Sequence, residues 1–508
     1  MNTIRKVAVC GAGGTMGAGI ALVAARAGFD TICHDQSAEA LARARCQAEK
    51  FFDRSVERGR MSADEAAAAL ARMQDATELA ALADCDLVIE AVFEDLGVKQ
   101  TLLAELDRLC KPETLFASNT STLSITEIAS GCGRPEQVIG LHFCLPAQLM
   151  KLIEVSRGVL TSQQTFDAAW AWCEGAGQLP VQTQDRPGFI LNALLVPFNN
   201  DVLRAIDEGL ATPEDIDIAI RSALGYRMGP CTLLDLIGLD TQVRLGEAFY
   251  PITHDPRAAV PPMLRRMVAA GLLGNKSGRG LLGMAPERAI ATGAPEFRLV
   301  YGGESRSFGP DDPFLNRAVD NAAPVTVCLG GAFAADESRL AVLVELDTEC
   351  LGVHTGEDSG NEGDNVVGFA RYRNGRDAPS RLVEIVRQPR TNPAALEAAR
   401  AVFEAAGMDT VVCADRPGRI VDRLVRPKYN DALRFLDEGL AAAGDMDKTC
   451  RLGLGYPDGP IERVVRGGLV RHYEICMALA RMTGQSAYHP ARRAVVAHDH
   501  AYMTGSGA

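Results

Sequence analysis

Short apolar runs alternate with longer helical stretches through the first third of the chain. Arg5 to Cys10 (R-K-V-A-V-C) is continuous enough for a parallel strand covered on both faces, and it ends in a cluster of glycines. Small residues from Ala18 to Ala27 then predict a helix, and Asp30 to His34 a second strand. Further strands are expected at Leu87 to Val92, Leu115 to Ser118 and Val138 to Phe143. From Asp185 onward the period turns helical. Thr212-Pro213-Glu214-Asp215 predicts a helix start, with a capping hydroxyl, proline in the first position and acids in the first turn.

The helical text is written twice. Asp185-Arg186-Pro187-Gly188 returns 230 residues later as Asp415-Arg416-Pro417-Gly418. Asp207-Glu208-Gly209-Leu210 returns as Asp437-Glu438-Gly439-Leu440, and Leu224-Gly225-Tyr226 as Leu454-Gly455-Tyr456. About half the positions from 185 to 230 repeat without a gap, so the segment is a duplication, far longer than a solenoid unit.

The glycine cluster carries the first chemistry. Gly11-Ala12-Gly13-Gly14-Thr15-Met16-Gly17 joins the first strand to the first helix, and Asp35 closes the second strand. A strand, a glycine turn and a helix in this order form a dinucleotide-binding unit: the backbone approaches a pyrophosphate while the helix N-terminus offers it N–H groups. Gly11, Gly13, Gly14, Thr15, Met16 and Gly17 are therefore candidate cofactor contacts. Asp35 stands where the 2′-phosphate of NADP would sit, and Gln36-Ser37 brings no arginine to receive one, so NAD is expected. The loop has one residue more than G-x-G-x-x-G. Either Gly11 and Gly13 open the motif and Gly17 comes one place late, or Ala12, Gly14 and Gly17 carry it with the first glycine lost.

Composition narrows the classes that remain. A chain of 508 residues predicts several domains rather than one core. No run approaches the roughly 20 apolar residues of a membrane span. Met1 to Lys6 carries a little positive charge, but the apolar run behind it breaks at once into glycines, unlike a signal peptide. The 14 cysteines are scattered singly, without metal-ligand spacing, and suit buried thiols in a reducing compartment. A net charge of −13 opposes nucleic-acid binding. The expectation is a cytoplasmic protein with no metal, no nucleic-acid partner and no membrane association.

Separate motifs then follow in order. Glu90 to Lys99 (E-A-V-F-E-D-L-G-V-K) precedes Ser118-Asn119-Thr120-Ser121. Gly140-Leu141-His142-Phe143, Met150 to Val155 (M-K-L-I-E-V), Asp185 to Asn192 (D-R-P-G-F-I-L-N) and Lys276-Ser277-Gly278-Arg279-Gly280 come after. This series resembles the L-3-hydroxyacyl-CoA dehydrogenase family over residues 4 to about 282. The resemblance implies a Rossmann-type α/β NAD-binding domain, an all-α C-terminal domain, and NAD-dependent oxidation of a 3-hydroxyacyl-CoA thioester.

It also implies the roles. His142 suits the base that takes the hydroxyl proton, because an imidazole titrates near neutrality. Glu154, twelve residues on, orients the ring, and Ser121 and Asn192 hold the hydroxyl and thioester by neutral hydrogen bonds. Glu94, Lys99 and Lys276 are implied as dinucleotide contacts. One departure falls in the cofactor site: the family usually has H-F-F-N-P where this chain has His142-Phe143-Cys144-Leu145-Pro146.

The second half keeps the scaffold and loses the chemistry. His142 aligns with Ala370 and Asn192 with Asp422, while Glu154 survives as Glu384. Val325 to Leu329 precedes Gly330-Gly331 without a third glycine in register. Four segments are expected: an NAD-binding domain over 1–184, a helical domain over 185–285, a degenerate α/β segment over 286–410 and a repeated helical domain over 411–508. The second helical domain is expected to imitate, within one chain, the dimer of shorter relatives, with a homodimer of such chains as the candidate assembly. The resemblance to long-form relatives implies 3-hydroxyadipyl-CoA, in aromatic-acid catabolism, or 3-hydroxybutyryl-CoA as the substrate. The competing readings are a dehydrogenase of a free hydroxy acid and a non-catalytic NAD- or CoA-binding module.

Overall fold

The apolar runs become strands because both of their faces are covered. In the computed structural model, which describes residues 4–283, 293–319, 322–356 and 363–504, the chain divides into two units. One holds Met1–Ala193 together with Phe435–Gly455, and the other holds Leu194–Arg434 and Tyr456–Ala508. The boundary expected at 285–286 lies outside the described residues.

The first unit is built on an eight-stranded sheet. Its strands are β1 (Lys6–Cys10), β2 (Asp30–His34), β3 (Met73–Ala76), β4 (Leu87–Glu90), β5 (Leu115–Ser118), β6 (Val138–Phe143), β7 (Leu152–Arg157) and β8 (Leu179–Gln184). They lie in the order β3-β2-β1-β4-β5-β6-β7-β8. Helix Thr15–Arg26 buries Ile20 to Ala25 on one face, while Leu103, Leu106 and Phe116 pack on the other. That helix starts three residues before the expected one because Gly14, in extended conformation, serves as its N-cap. All pairings are parallel except β6 with β7, which run antiparallel and place His142 directly opposite Glu154. The reversal follows from a short connection, residues 144–151, that leaves no room for a crossover helix.

A helix from the far end of the sequence completes this unit. Ala443–Leu454 packs on β8 and β7. Gln184 N donates to Leu440 O at 2.9 Å, and Lys448 Nζ donates to Pro180 O at 2.9 Å.

In the second unit a six-stranded sheet repeats most of the first. Its strands are β9 (Phe297–Tyr301), β10 (Val325–Leu329), β11 (Ala341–Glu345), β12 (Val366–Arg371), β13 (Leu382–Arg387) and β14 (Asp409–Ala414), in the order β14-β13-β12-β11-β10-β9. Again one pairing alone is antiparallel, β12 with β13, and it sets Ala370 opposite Glu384. By position β9 answers to β1 and β10 to β4. Val325–Leu329, the apolar run before Gly330-Gly331, thus takes the place of β4 and not of the opening strand. Gly302-Gly303 follow β9, and among the described residues no α-helix or strand intervenes before β10, so β2, β3 and helix Thr15–Arg26 have no counterpart there.

The repeated helices meet in this unit. Thr212 caps helix Pro213–Leu224 by accepting from Asp215 N, as its sequence predicts, and this helix packs on β14 and β13. Ala414 N donates to Leu210 O at 2.7 Å, the counterpart of the Gln184 to Leu440 bond. Repeated residues face each other. Tyr226 stacks on Tyr456 at 3.6 Å, and Arg257 bridges Asp201 at 2.7 Å and Asp431 at 2.5 Å. No helix among the described residues is long and apolar enough to cross a membrane.

A chain cut near residue 285 loses Ala443–Leu454 and leaves one side of β7–β8 bare. It should aggregate or dimerise, drawing the equivalent helix from a second copy. Size-exclusion chromatography with light scattering reads the outcome, and an active, well-behaved monomer of residues 1–285 would refute the idea.

Candidate active site

The antiparallel register builds the centre of the site, because residues directly opposite on such a pair turn their side chains to the same face. His142 Nδ1 lies 2.7 Å from Glu154 Oε2, and His142 Nε2 lies 3.1 Å from Ser121 Oγ. Glu154 has 0% exposure, and its second oxygen accepts the Ile190 and Leu191 N–H groups at 2.9 Å each. Those donors lie at the start of helix Leu191–Asp207, where backbone N–H groups have no partner of their own. A carboxylate so placed takes the proton-bearing Nδ1 and leaves Nε2 as acceptor toward Ser121. Phe189, held at φ 50°, sets its ring 5.5 Å from the imidazole. Burial pushes the neighbouring Cys144 thiol far up, so it stays protonated at neutral pH.

Ser121 is held from behind. Glu94 Oε1 accepts from Ser121 N at 2.8 Å, Thr122 N at 3.1 Å, Thr120 Oγ1 at 2.5 Å and Thr122 Oγ1 at 3.0 Å. Burial pushes this carboxyl up, but Lys99 and these hydrogen bonds outweigh it and hold Glu94 below the usual carboxylate range. Lys99, 1% exposed, turns inward: its Nζ donates to Glu90 at 2.8 and 3.0 Å and lies 3.3 Å from Glu94. Burial pushes Glu90 above its usual range against the pull of Lys99, and Ser118 Oγ donates to it as well. Asn119 Oδ1 accepts the Phe143 N–H at 2.9 Å and ties the end of β5 to the strand carrying His142.

Neither Glu90 nor Asn119 is singled out by sequence reasoning. A buried acid closing the apolar run of β4 is the one signal that could have found Glu90. Asn119 sits inside a recognised motif with nothing to separate it from its neighbours.

Beside this centre lies the glycine loop. A Cβ at Gly17 would stand 2.2 Å from Gly11 O, and Gly11, at φ 81°, would push one to 2.6 Å from Ala91 O. Gly14 is open, its nearest atom being Gly11 O at 3.4 Å. At Gly13 a Cβ would stand 2.6 Å from Ala40 Cβ and 2.7 Å from Asp35 Oδ2, so Gly11, Gly13 and Gly17 are the three positions of the loop where side chains do not fit. The extra residue is absorbed in a turn closed by Gly14 N donating to Gly11 O at 3.0 Å. Asp35 accepts from Gly13 N at 3.1 Å and Ser37 N at 3.0 Å, which leaves each carboxylate oxygen a lone pair for a ribose hydroxyl. A cleft of about 810 Å³ opens here, lined by Gly11, Gly14, Asp35, Val92 and Phe93 among others, with Phe93 85% exposed at its edge. Its size and the cradle free of side chains fit a dinucleotide. The N–H groups of Thr15, Met16 and Gly17, in the first turn of the helix, are those offered to a pyrophosphate.

Asn192 follows Leu191 in the first helical turn, and among the described residues its side chain makes no hydrogen bond, so its amide is available to a ligand. Lys276 belongs to the second unit, where its Nζ donates to Asp240 at 2.8 Å and Thr241 at 2.9 Å. Leu145 is exposed.

The second sheet preserves half of the arrangement. Glu384 Oε1 accepts Ile420 N at 2.8 Å and Val421 N at 3.0 Å, as Glu154 does with its own helix. Its other oxygen meets Arg419 Nε at 3.4 Å where Glu154 meets an imidazole. Arg419 occupies the repeat position of Phe189, and Ala370 carries no titratable group. Asp422, in the position of Asn192, is paired with Arg426 at 2.8 Å.

A parallel sheet with a glycine cradle, next to a carboxylate-oriented histidine, defines a nicotinamide-dependent dehydrogenase. The family description "3-hydroxyacyl-CoA dehydrogenase, NAD binding domain" matches residues 6–186, and "3-hydroxyacyl-CoA dehydrogenase, C-terminal domain" matches twice, at 188–283 and 418–507. The chain is 33% identical to the 3-hydroxyadipyl-CoA dehydrogenase of Escherichia coli strain K12, covering 96% of each protein. It is 43% identical to a probable 3-hydroxybutyryl-CoA dehydrogenase of Deinococcus radiodurans, over 54% of this chain and 98% of that protein. The crystal structure of 3-hydroxybutyryl-CoA dehydrogenase from Escherichia coli K12 superposes with a TM-score of 0.80 at 31% identity, covering 98% of this chain and all of the other. The chain belongs to the 3-hydroxyacyl-CoA dehydrogenase family, with NAD as cofactor and 3-hydroxyacyl-CoA oxidation as the activity its relatives support.

The glycine geometry separates two substitutions. Gly14→Ala should leave NAD affinity within about twofold, since its Cβ meets only ordinary contact. Gly17→Ala should weaken it roughly tenfold or more, because overpacking costs roughly 1–3 kcal/mol. Fluorescence titration with NADH distinguishes the two, and equal affinities would discount the cradle.

Proposed function

We propose that one active site per chain, in the first unit, oxidises the 3-hydroxyl of an L-3-hydroxyacyl-CoA with His142 as general base. The observation that carries this reading is the chain of contacts Ser121 Oγ–His142 Nε2–Glu154 Oε2, at 3.1 and 2.7 Å. Ser121 and Asn192 hold the substrate hydroxyl and thioester carbonyl. Nε2 takes the hydroxyl proton, and Glu154 stabilises the imidazolium that results. NAD, when held by the glycine loop and Asp35, would supply the acceptor for the hydride of C3, leaving the 3-oxoacyl-CoA as product. Glu94 keeps Ser121 in place and is retained as a dinucleotide contact on the family resemblance, while Lys99, 1% exposed, acts by holding Glu94. Asp35 receives the adenosine ribose and disfavours a 2′-phosphate. Lys276 is retained as a dinucleotide contact on the family resemblance.

A 3-hydroxyadipyl thioester is the substrate we favour, because similarity to the relative named for it runs the length of both chains. Bacterial relatives support a cytoplasmic location, and a homodimer of these internally duplicated chains is the assembly we favour. A binding module without turnover is opposed by the intact Ser121–His142–Glu154 chain. A free hydroxy acid substrate is opposed by relatives named for CoA thioesters.

His142→Ala should lower kcat by about 10²–10⁴, the range of a positioned general base, with little change in NADH affinity. Near-normal turnover would remove His142 from the mechanism. A panel of 3-hydroxyacyl-CoA thioesters and free hydroxy acids, followed by NADH absorbance with NAD and NADP, should show thioesters oxidised with NAD and the adipyl thioester preferred. Calorimetric titration should saturate at one NADH per chain. Equal rates with free acids, equal efficiency with NADP, or two sites per chain would each overturn the corresponding part.

A further inference from the structure

The helix lying against the catalytic strands is written in the second repeat. Ala443–Leu454 repeats Pro213–Leu224 in sequence, yet it packs on β7, the strand that carries Glu154. Its close approach falls at Gly453, where a Cβ would stand 3.1 Å from Leu152 Cδ2 and 3.1 Å from Leu191 Cδ1. Carbon contacts normally settle at about 3.5–4.0 Å, so both leucines rest against bare backbone.

Each leucine leads directly to the catalytic carboxylate. Leu152 shares a face of β7 with Glu154, two residues away. Leu191 supplies one of the two N–H groups that hold Glu154 Oε1. Both leucines are buried, and a close-packed interior transmits a displacement instead of absorbing it. The backbone at 453 thereby fixes Leu191, Leu191 fixes the Glu154 clamp, and Glu154 aims His142. The other repeat has the sizes the opposite way round: Gly453 corresponds to Ala223 and Leu191 to Val421. In the unit that keeps the histidine, volume is taken from the helix and given to the residue beside the clamp.

We infer that Gly453 is a positioning residue for the dehydrogenase reaction, and that the second repeat serves catalysis by supplying it. The inference rests on the proposed roles of His142 and Glu154. Four variants of the full chain test it: Gly453→Ala, Gly453→Val, Leu191→Val, and Gly453→Val combined with Leu191→Val. Gly453→Val should lower kcat about 10- to 100-fold, the scale of a misplacement near 1 Å, while NADH affinity stays unchanged. Hydrogen exchange over residues 186–194, which contain the Ile190 and Leu191 amides, should quicken. Adding Leu191→Val should restore much of kcat and slow the exchange again.

Gly453→Ala should lower kcat less, without lowering the thermal midpoint, because alanine is the better helix former. A role in folding alone predicts instead a stabler protein with unaltered kcat. A folded Gly453→Val protein with wild-type kcat and exchange overturns the inference. If the valine variant does not fold, wild-type kcat and exchange in Gly453→Ala overturn it. If the wild-type chain oxidises no thioester, the catalytic reading fails. The exchange rates then still decide whether Gly453 holds the clamp, quickening supporting it and no change refuting it.

Discussion

A carboxylate shut away from water must have every lone pair answered, since an unpartnered buried charge costs several kcal/mol. Glu154 is such a carboxylate. Two backbone N–H groups at a helix start answer one oxygen and an imidazole answers the other. Meeting that demand requires β7 to run against β6, so that position 154 lies opposite position 142. It requires the helix after Asp-Arg-Pro-Gly to begin at Ile190–Leu191, which the left-handed turn at Gly188 and Phe189 accomplishes. It also requires a cover over Leu152 and Leu191, supplied from more than 250 residues away.

The second sheet separates this demand from the chemistry. Glu384 keeps both N–H partners although its histidine has become Ala370. Burial pushes its carboxyl up against the pull of Arg419, whose guanidinium stands where the first sheet places an imidazole. The acid therefore serves the architecture, as the joint between a sheet and its helix, whether an imidazole or a guanidinium meets its other oxygen. The same economy appears around Lys99, where a buried ammonium joins Glu90 to Glu94 and so fixes the turn that presents Ser121.

Much of this was legible in the chain. β2, β5 and β6 coincide with their expected limits, because each is a compact apolar run between turn residues. The 142–154 pairing could be anticipated from a histidine and an acid in neighbouring strands. The duplication was plain, and so were Ala370 and Asp422 in the places of His142 and Asn192. What could not be read depended on distant partners. β3 and β8 are weakly apolar strands that exist because a neighbour pairs with them. The strands of the second sheet carry no glycine motif to label the opening one, and β9 takes its place only through pairing with β10. Glu90 looked like an ordinary strand end until Lys99 met it. Nothing local could announce that Ala443–Leu454 joins the first sheet.

Arg419 also fixes a direction of change. A histidine restored at position 370 would have to share Glu384 with a guanidinium already there. Removing the guanidinium first would leave a buried carboxylate half partnered. Each reversal alone is uphill, so the second sheet has passed a ratchet that single substitutions cannot undo. The two sheets, once copies, now answer the same buried carboxylate with partners that cannot be exchanged one at a time.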